Sequence, residues 1–144
     1  MQAAFLALRH APDVHYTQTL RRWDGINQNL KAWRGEYPRY ADCSSFATWC
    51  LWNGLDHYGV RDTVNGLNWK AGYTGTMLDH GKPVVHESNI MRGDLALYGT
   101  PGTSGKHVAI CIGGGLVISH GSEGGPYKLS MHYRSDLMQV RRYI

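Results

Sequence analysis

The segment His107 to His120, HVAICIGGGLVISH, constrains this chain more than any other. Two apolar runs flank Gly113, Gly114 and Gly115, and consecutive glycines supply the positive φ that a tight antiparallel hairpin turn demands. With Gly113-Gly114 as a two-residue turn, Ile112 faces Gly115, and counting back sets His107 directly opposite His120. Side chains alternate across a strand, so His107, Ala109 and Cys111 then share a face with Leu116, Ile118 and His120, while Val108 and Ile110 take the other. A three-residue turn would shift this pairing by one.

Upstream, Asp42 to Gly54 carries a helix start and a helix stop, with Asp42 as N-cap and Gly54 as C-terminal breaker. Cys43, Phe46, Ala47, Cys50 and Gly54 recur at the spacing of one helical face, which puts Cys43 at the N-terminal end of the inward stripe. Small Ala109 beside His107 leaves room for that helix end to approach the same face of the hairpin. A cysteine there is chemically favoured, because the positive end of the helix dipole and a nearby imidazolium both stabilise the thiolate. His107 is then the base, His120 the group that orients it, and the free amides of the first helical turn, including that of Cys43, are candidates to hold an oxyanion.

Other cysteines and histidines lack such context. Cys50 and Cys111 read as buried structural thiols, and His10, His15, His57, His80, His86 and His132 as surface or structural groups. Three cysteines cannot all pair, and Cys43 and Cys50 would stand roughly 10 Å apart along one helix, beyond the reach of a bridge. Zinc held by Cys43, His107 and His120 is the competing chemistry, but neither HExxH nor paired-cysteine spacing supports it. No metal or organic cofactor is expected.

The 144 residues suit one domain, taken as 1–144. From Met1 to about Gly54 the pattern favours helix, and Leu55 to about Pro83 reads as loop. Strands follow at Asp94–Tyr98, His107–Ile112, Leu116–His120 and Met138–Ile144, so the expected class is α+β. A hydrophobic share of 42% with 11% aromatic residues excludes a disordered chain. No apolar run approaches the roughly 18 to 20 residues of a bilayer span, and MQAAFLALRHAPD reads as an N-terminal helix rather than a secretion signal. The net charge of +4 favours polyanionic partners. Basic residues cluster only at Arg21-Arg22 and Arg141-Arg142, which argues against nucleic acid.

Four blocks together resemble the NlpC-type cell-wall peptidases: DCSSFATW around Cys43, GDLALYG from Gly93 to Gly99, HVAICIGGG from His107, and VISHGSEGG around His120. The resemblance implies a papain-like fold with N-terminal helices packed on a central antiparallel sheet, Cys43 as nucleophile, His107 as base and His120 as third residue. It also implies hydrolysis of an amide in peptidoglycan stem peptides, commonly between the γ-carboxyl of D-glutamate and a diamino acid.

More narrowly, HYTQTLRRWDGI, GYTGTMLDHG, SHGSEGGP and RRYI resemble the peptidase module of endolysins from phages of actinobacteria. The implied setting is a monomeric bacteriolytic enzyme, made in the host cytoplasm and acting on the wall after release, with no nucleic-acid or membrane partner. The family's tyrosine about a dozen residues before the nucleophile is replaced here by Lys31. Tyr16 is the candidate for its task, with Tyr37 and Tyr40 as alternatives, and Asp42 and Ser44 are further substrate or oxyanion candidates. An amidase cutting between muramic acid and L-alanine, an acyltransferase and a non-catalytic wall-binding module are the rival functions.

Overall fold

The computed structural model describes residues 1–144 except for the side chain of His57, so the structural role expected of that histidine lies outside the described residues. In chain order the helices are α1 (Gln2–Arg9), α2 (Asp24–Asn27), α3 (Cys43–Leu55) and α4 (Thr74–Leu78). The strands are β1 (His15–Tyr16), β2 (Tyr40–Ala41), β3 (Lys82–Pro83), β4 (Leu95–Tyr98), β5 (His107–Gly113), β6 (Leu116–Ser119), β7 (Tyr127–Ser130) and β8 (Leu137–Arg142). β1 and β2 form a small parallel pair, and the other six build one antiparallel sheet in the order β3-β8-β4-β5-β6-β7. The α+β class and the four expected strands are all present. The expectations missed β1, β2, β3 and the edge strand β7, whose mostly exposed side chains carry no apolar alternation.

Helix α3 starts where the sequence places it. The Asp42 carboxylate accepts the Ser45 N–H at 2.8 Å, and Ser45 Oγ accepts the Asp42 N–H at 2.9 Å, a reciprocal capping box that satisfies two otherwise orphaned donors. Its end is a correction. The helix runs through exposed Gly54 to Leu55, and the chain reverses only at Gly59, whose φ of 67° suits glycine. Nor does α3 bury a single stripe: every residue from Cys43 to Trp52 is buried, because α1 covers one side and the sheet the other. Phe46, Ala47, Trp49 and Cys50 thus join Ala3, Ala4 and Ala7 of α1 and Val108, Ile110, Ile112 and Ile118 of the sheet in one core. On the opposite face, Ala96, Tyr98, Ala109, Cys111, Val117 and Val140 form a second cluster.

The β5–β6 hairpin departs from the expected register by one residue. Gly113 pairs with Leu116 across Gly114-Gly115, both with positive φ, and the register shifts between Cys111 and Gly113 so that Ile112 is bulged. Cys111 then faces Val117, and Ile110 faces Ile118. Continuing this register sets Ser119 against Ala109 and His120 against Val108, so His120 is not opposite His107. Ile118 accordingly shares the helix-side core with Val108 and Ile110, and α3 packs on that face rather than on the Ala109 face. A one-residue slip exchanges the faces of every following side chain.

Candidate active site

Cys43 is the first residue of α3 and is 9% exposed. The backbone N–H groups of Cys43, Ser44 and Val108 lie against its thiol and favour the thiolate. Burial, followed by the adjacent Asp42 carboxylate, outweighs them and pushes the thiol up to about 11. Cys43 therefore rests as a thiol near neutral pH and needs a base. Cys50 and Cys111, each 1% exposed, are held up to about 12 by burial.

His107 opens β5, immediately before the Val108 amide that meets the thiol. Burial above all, then the Arg134 cation, pulls its imidazole down to about 4, so it rests neutral. Among the described residues no hydrogen bond joins thiol and ring directly. Nε2 of His107 is bound to Ser119 Oγ at 2.7 Å, and Ser119 Oγ in turn to the Tyr133 hydroxyl at 3.1 Å.

The orienting partner of His107 is therefore Ser119, not His120. His120 is wholly buried on the helix side, with its ring 5.8 Å from Phe46 and 5.7 Å from Tyr16. Its Nε2 meets the His15 carbonyl at 3.5 Å, and its Nδ1 has no partner. Because His107 and His120 leave their hairpin on opposite faces, Cys43, His107 and His120 do not converge as a ligand set, and among the described residues no group of three His, Cys, Asp or Glu is placed to hold a metal.

Tyr16 comes near Cys43 through β1, which pairs with β2 just before the Asp42 cap. Burial raises its phenol, and the nearby Cys43 and Asp42 charges raise it further, so it stays a protonated donor. The alternatives lie elsewhere: Tyr37 stacks on His10 at 4.4 Å, and Tyr40 lies under Arg21 at 3.8 Å. Asp42 and Ser44 have their side chains occupied. Asp42 pairs with Arg22 at 2.6 Å and accepts the Ser44 hydroxyl at 3.1 Å, so both build the helix start and leave substrate contact to the backbone amides.

Arg22, Ser119 and Tyr133 escaped sequence reasoning. Arg22 was visible only as half of a basic pair. Ser119 stood one residue from the histidine that the wrong register favoured, and Tyr133 lies in an irregular turn with no periodic signal. Arg22 braces the helix start beside the thiol through Asp42, while Ser119 and Tyr133 hold the neutral imidazole.

The NlpC/P60 family model matches residues 31–142. No protein of curated function matches the chain in sequence. Among solved structures, NlpC1 from Trichomonas vaginalis superposes with a TM-score of 0.61 at 16% identity, over 98% of this chain and 42% of that one. The NlpC/p60 domain of the peptidoglycan hydrolase SagA gives 0.61 at 22% identity, over 97% of this chain and 96% of that domain. An NlpC/P60 family protein from Bacillus cereus gives 0.53 at 20% identity, over 83% of this chain and 39% of that one. The chain thus spans less than half of two of these proteins and nearly all of the SagA domain. At these identities the likeness is one of fold.

Proposed function

This chain belongs to the NlpC/P60 family, and from that premise we propose that it is a cysteine peptidase hydrolysing a stem-peptide amide of peptidoglycan. The observation that carries the reading is the seat of Cys43. Its thiol lies at the start of α3 among the amides of Cys43, Ser44 and Val108, the last of which follows His107 in sequence, and close enough to Tyr16 for the Cys43 charge to raise its phenol.

His107 takes the thiol proton as Cys43 attacks the amide carbonyl, so the nucleophile forms only at the moment of use. The developing oxyanion is met by the Cys43 amide at the helix N-terminus and by the Tyr16 hydroxyl. His107 then hands its proton to the leaving amine, and water releases the acyl group. Ser119 holds Nε2 throughout.

The bond favoured is that between the D-glutamate γ-carboxyl and the diamino acid, and the setting is a phage lysin acting as a monomer, with residues 1–144 as one peptidase domain that reaches the wall after release from the host cytoplasm. The resemblance of HYTQTLRRWDGI, GYTGTMLDHG and SHGSEGGP to such lysins supports this setting. Digestion of purified peptidoglycan followed by mass spectrometry tests the bond. New amine termini on the diamino acid are expected; termini on L-alanine would make the enzyme an amidase instead, and absence of any cleavage would leave only a wall-binding module.

A further inference from the structure

Ser119 is an unusual support for a catalytic histidine, because a hydroxyl carries no charge and can either donate or accept. With Nε2 on Ser119, Nδ1 is the nitrogen left to take the thiol proton, so the ring must already carry hydrogen on Nε2 and Ser119 Oγ must accept from it before and after the transfer. Its own proton then needs another acceptor. Ser119 is 3% exposed, and the hydrogen bonds of its hydroxyl are those to His107 and Tyr133. Without such an acceptor, Ser119 would turn its proton onto Nε2, select the tautomer with hydrogen on Nδ1 and leave no lone pair for the thiol proton.

Tyr133 is built to take that proton. Its ring is fixed edge-on against Tyr98 at 5.6 Å and against His107 at 6.5 Å, while the residue remains 39% exposed, so its own O–H can turn to water. The other charged or titratable groups that act on His107 are Arg134 and Asp136 from the turn before β8, His120 beyond β6 and Asp42 at the start of α3. Arg134 is held by Asp136 through two contacts of 2.8 Å. This side of the ring therefore offers no unpaired carboxylate to balance a charged His107.

We infer that Tyr133 is a positioning residue which accepts the Ser119 hydroxyl proton and so holds His107 in the tautomer with hydrogen on Nε2, leaving the Nδ1 lone pair free for the proton of Cys43. This rests on His107 being the base. The chain His107–Ser119–Tyr133 replaces a fixed charged partner by two rotors, the outer one in contact with solvent.

Steady-state kinetics on soluble muropeptides and a side-chain NMR titration of His107 test it in wild type, Tyr133→Phe, Ser119→Ala and the double variant. Tyr133→Phe keeps the stacked ring and the fold, so circular dichroism should match wild type. Its kcat should fall about tenfold with KM unchanged, and His107 should become harder to protonate. The double variant should be no worse than Ser119→Ala alone, since the outer rotor acts only through the inner one. A wild-type kcat and titration in Tyr133→Phe, a change confined to KM, or additive losses would each overturn the relay. His107→Ala separates the two levels: if it stays active the base assignment itself fails, whereas an inactive His107→Ala beside an unaffected Tyr133→Phe defeats the relay alone.

Discussion

Cys43 and His107 both rest uncharged, and this sets how the site answers pH. A preformed thiolate–imidazolium pair would alkylate quickly well below neutrality. Here burial holds the thiol up to about 11 and the imidazole down to about 4, so the rate of Cys43 alkylation by iodoacetamide should keep climbing with pH above neutrality. A rate that levels off below about pH 7 would contradict the neutral pair. Stability carries the second signature. An unfolded histidine binds a proton near 6.5, whereas folded His107 resists until about 4. Between those values the unfolded state holds more protons, so stability is complete above the unfolded value and falls as pH drops through the window. Urea unfolding should show a loss of about 2 kcal/mol between pH 7 and pH 5 from His107 alone, with buried His120 adding to it in the same direction.

At the scale of elements, helix α3 and the β5–β6 hairpin show what the sequence reveals and what it hides. Asp42 at the cap and the apolar runs of β5 and β6 are local signals, and each marked the element expected, whereas the single buried stripe and the Gly54 stop read for α3 did not hold. The Ile112 bulge is not local: whether Gly113-Gly114 or Gly114-Gly115 makes the turn depends on which face α3 covers, and no residue in HVAICIGGGLVISH states that. One residue of slip therefore moved the partnership from His120 to Ser119 while leaving both strands where they were expected. Tyr16 was reachable as a tyrosine missing its usual place, but its approach to Cys43 depends on β1 pairing with β2, two short strands without pattern. The cap itself is testable. Asp42→Ala should cost about 1 kcal/mol for the lost cap, and more for the Arg22 cation left without its carboxylate, whereas Asp42→Asn keeps the cap. Removing the Asp42 charge also removes a force that disfavours the thiolate, so Asp42→Asn should alkylate faster than wild type at pH 8. An equal or slower rate would show that the carboxylate does not govern the thiol.

At the scale of the molecule, two apolar clusters grip the sheet from opposite faces, and the proposed site lies where the start of α3 meets the start of β5. The net charge of +4 favours approach to an anionic wall. Salt near 0.5 M should therefore slow hydrolysis of insoluble peptidoglycan more than hydrolysis of soluble muropeptides, and equal slowing would assign the effect to the site instead. The nucleophile remains the centre of the account. Lysis of purified peptidoglycan by Cys43→Ala, with folding verified by an unchanged thermal transition, tests it most directly: complete loss of amide cleavage is predicted, and retained cleavage by the folded variant would contradict the assignment.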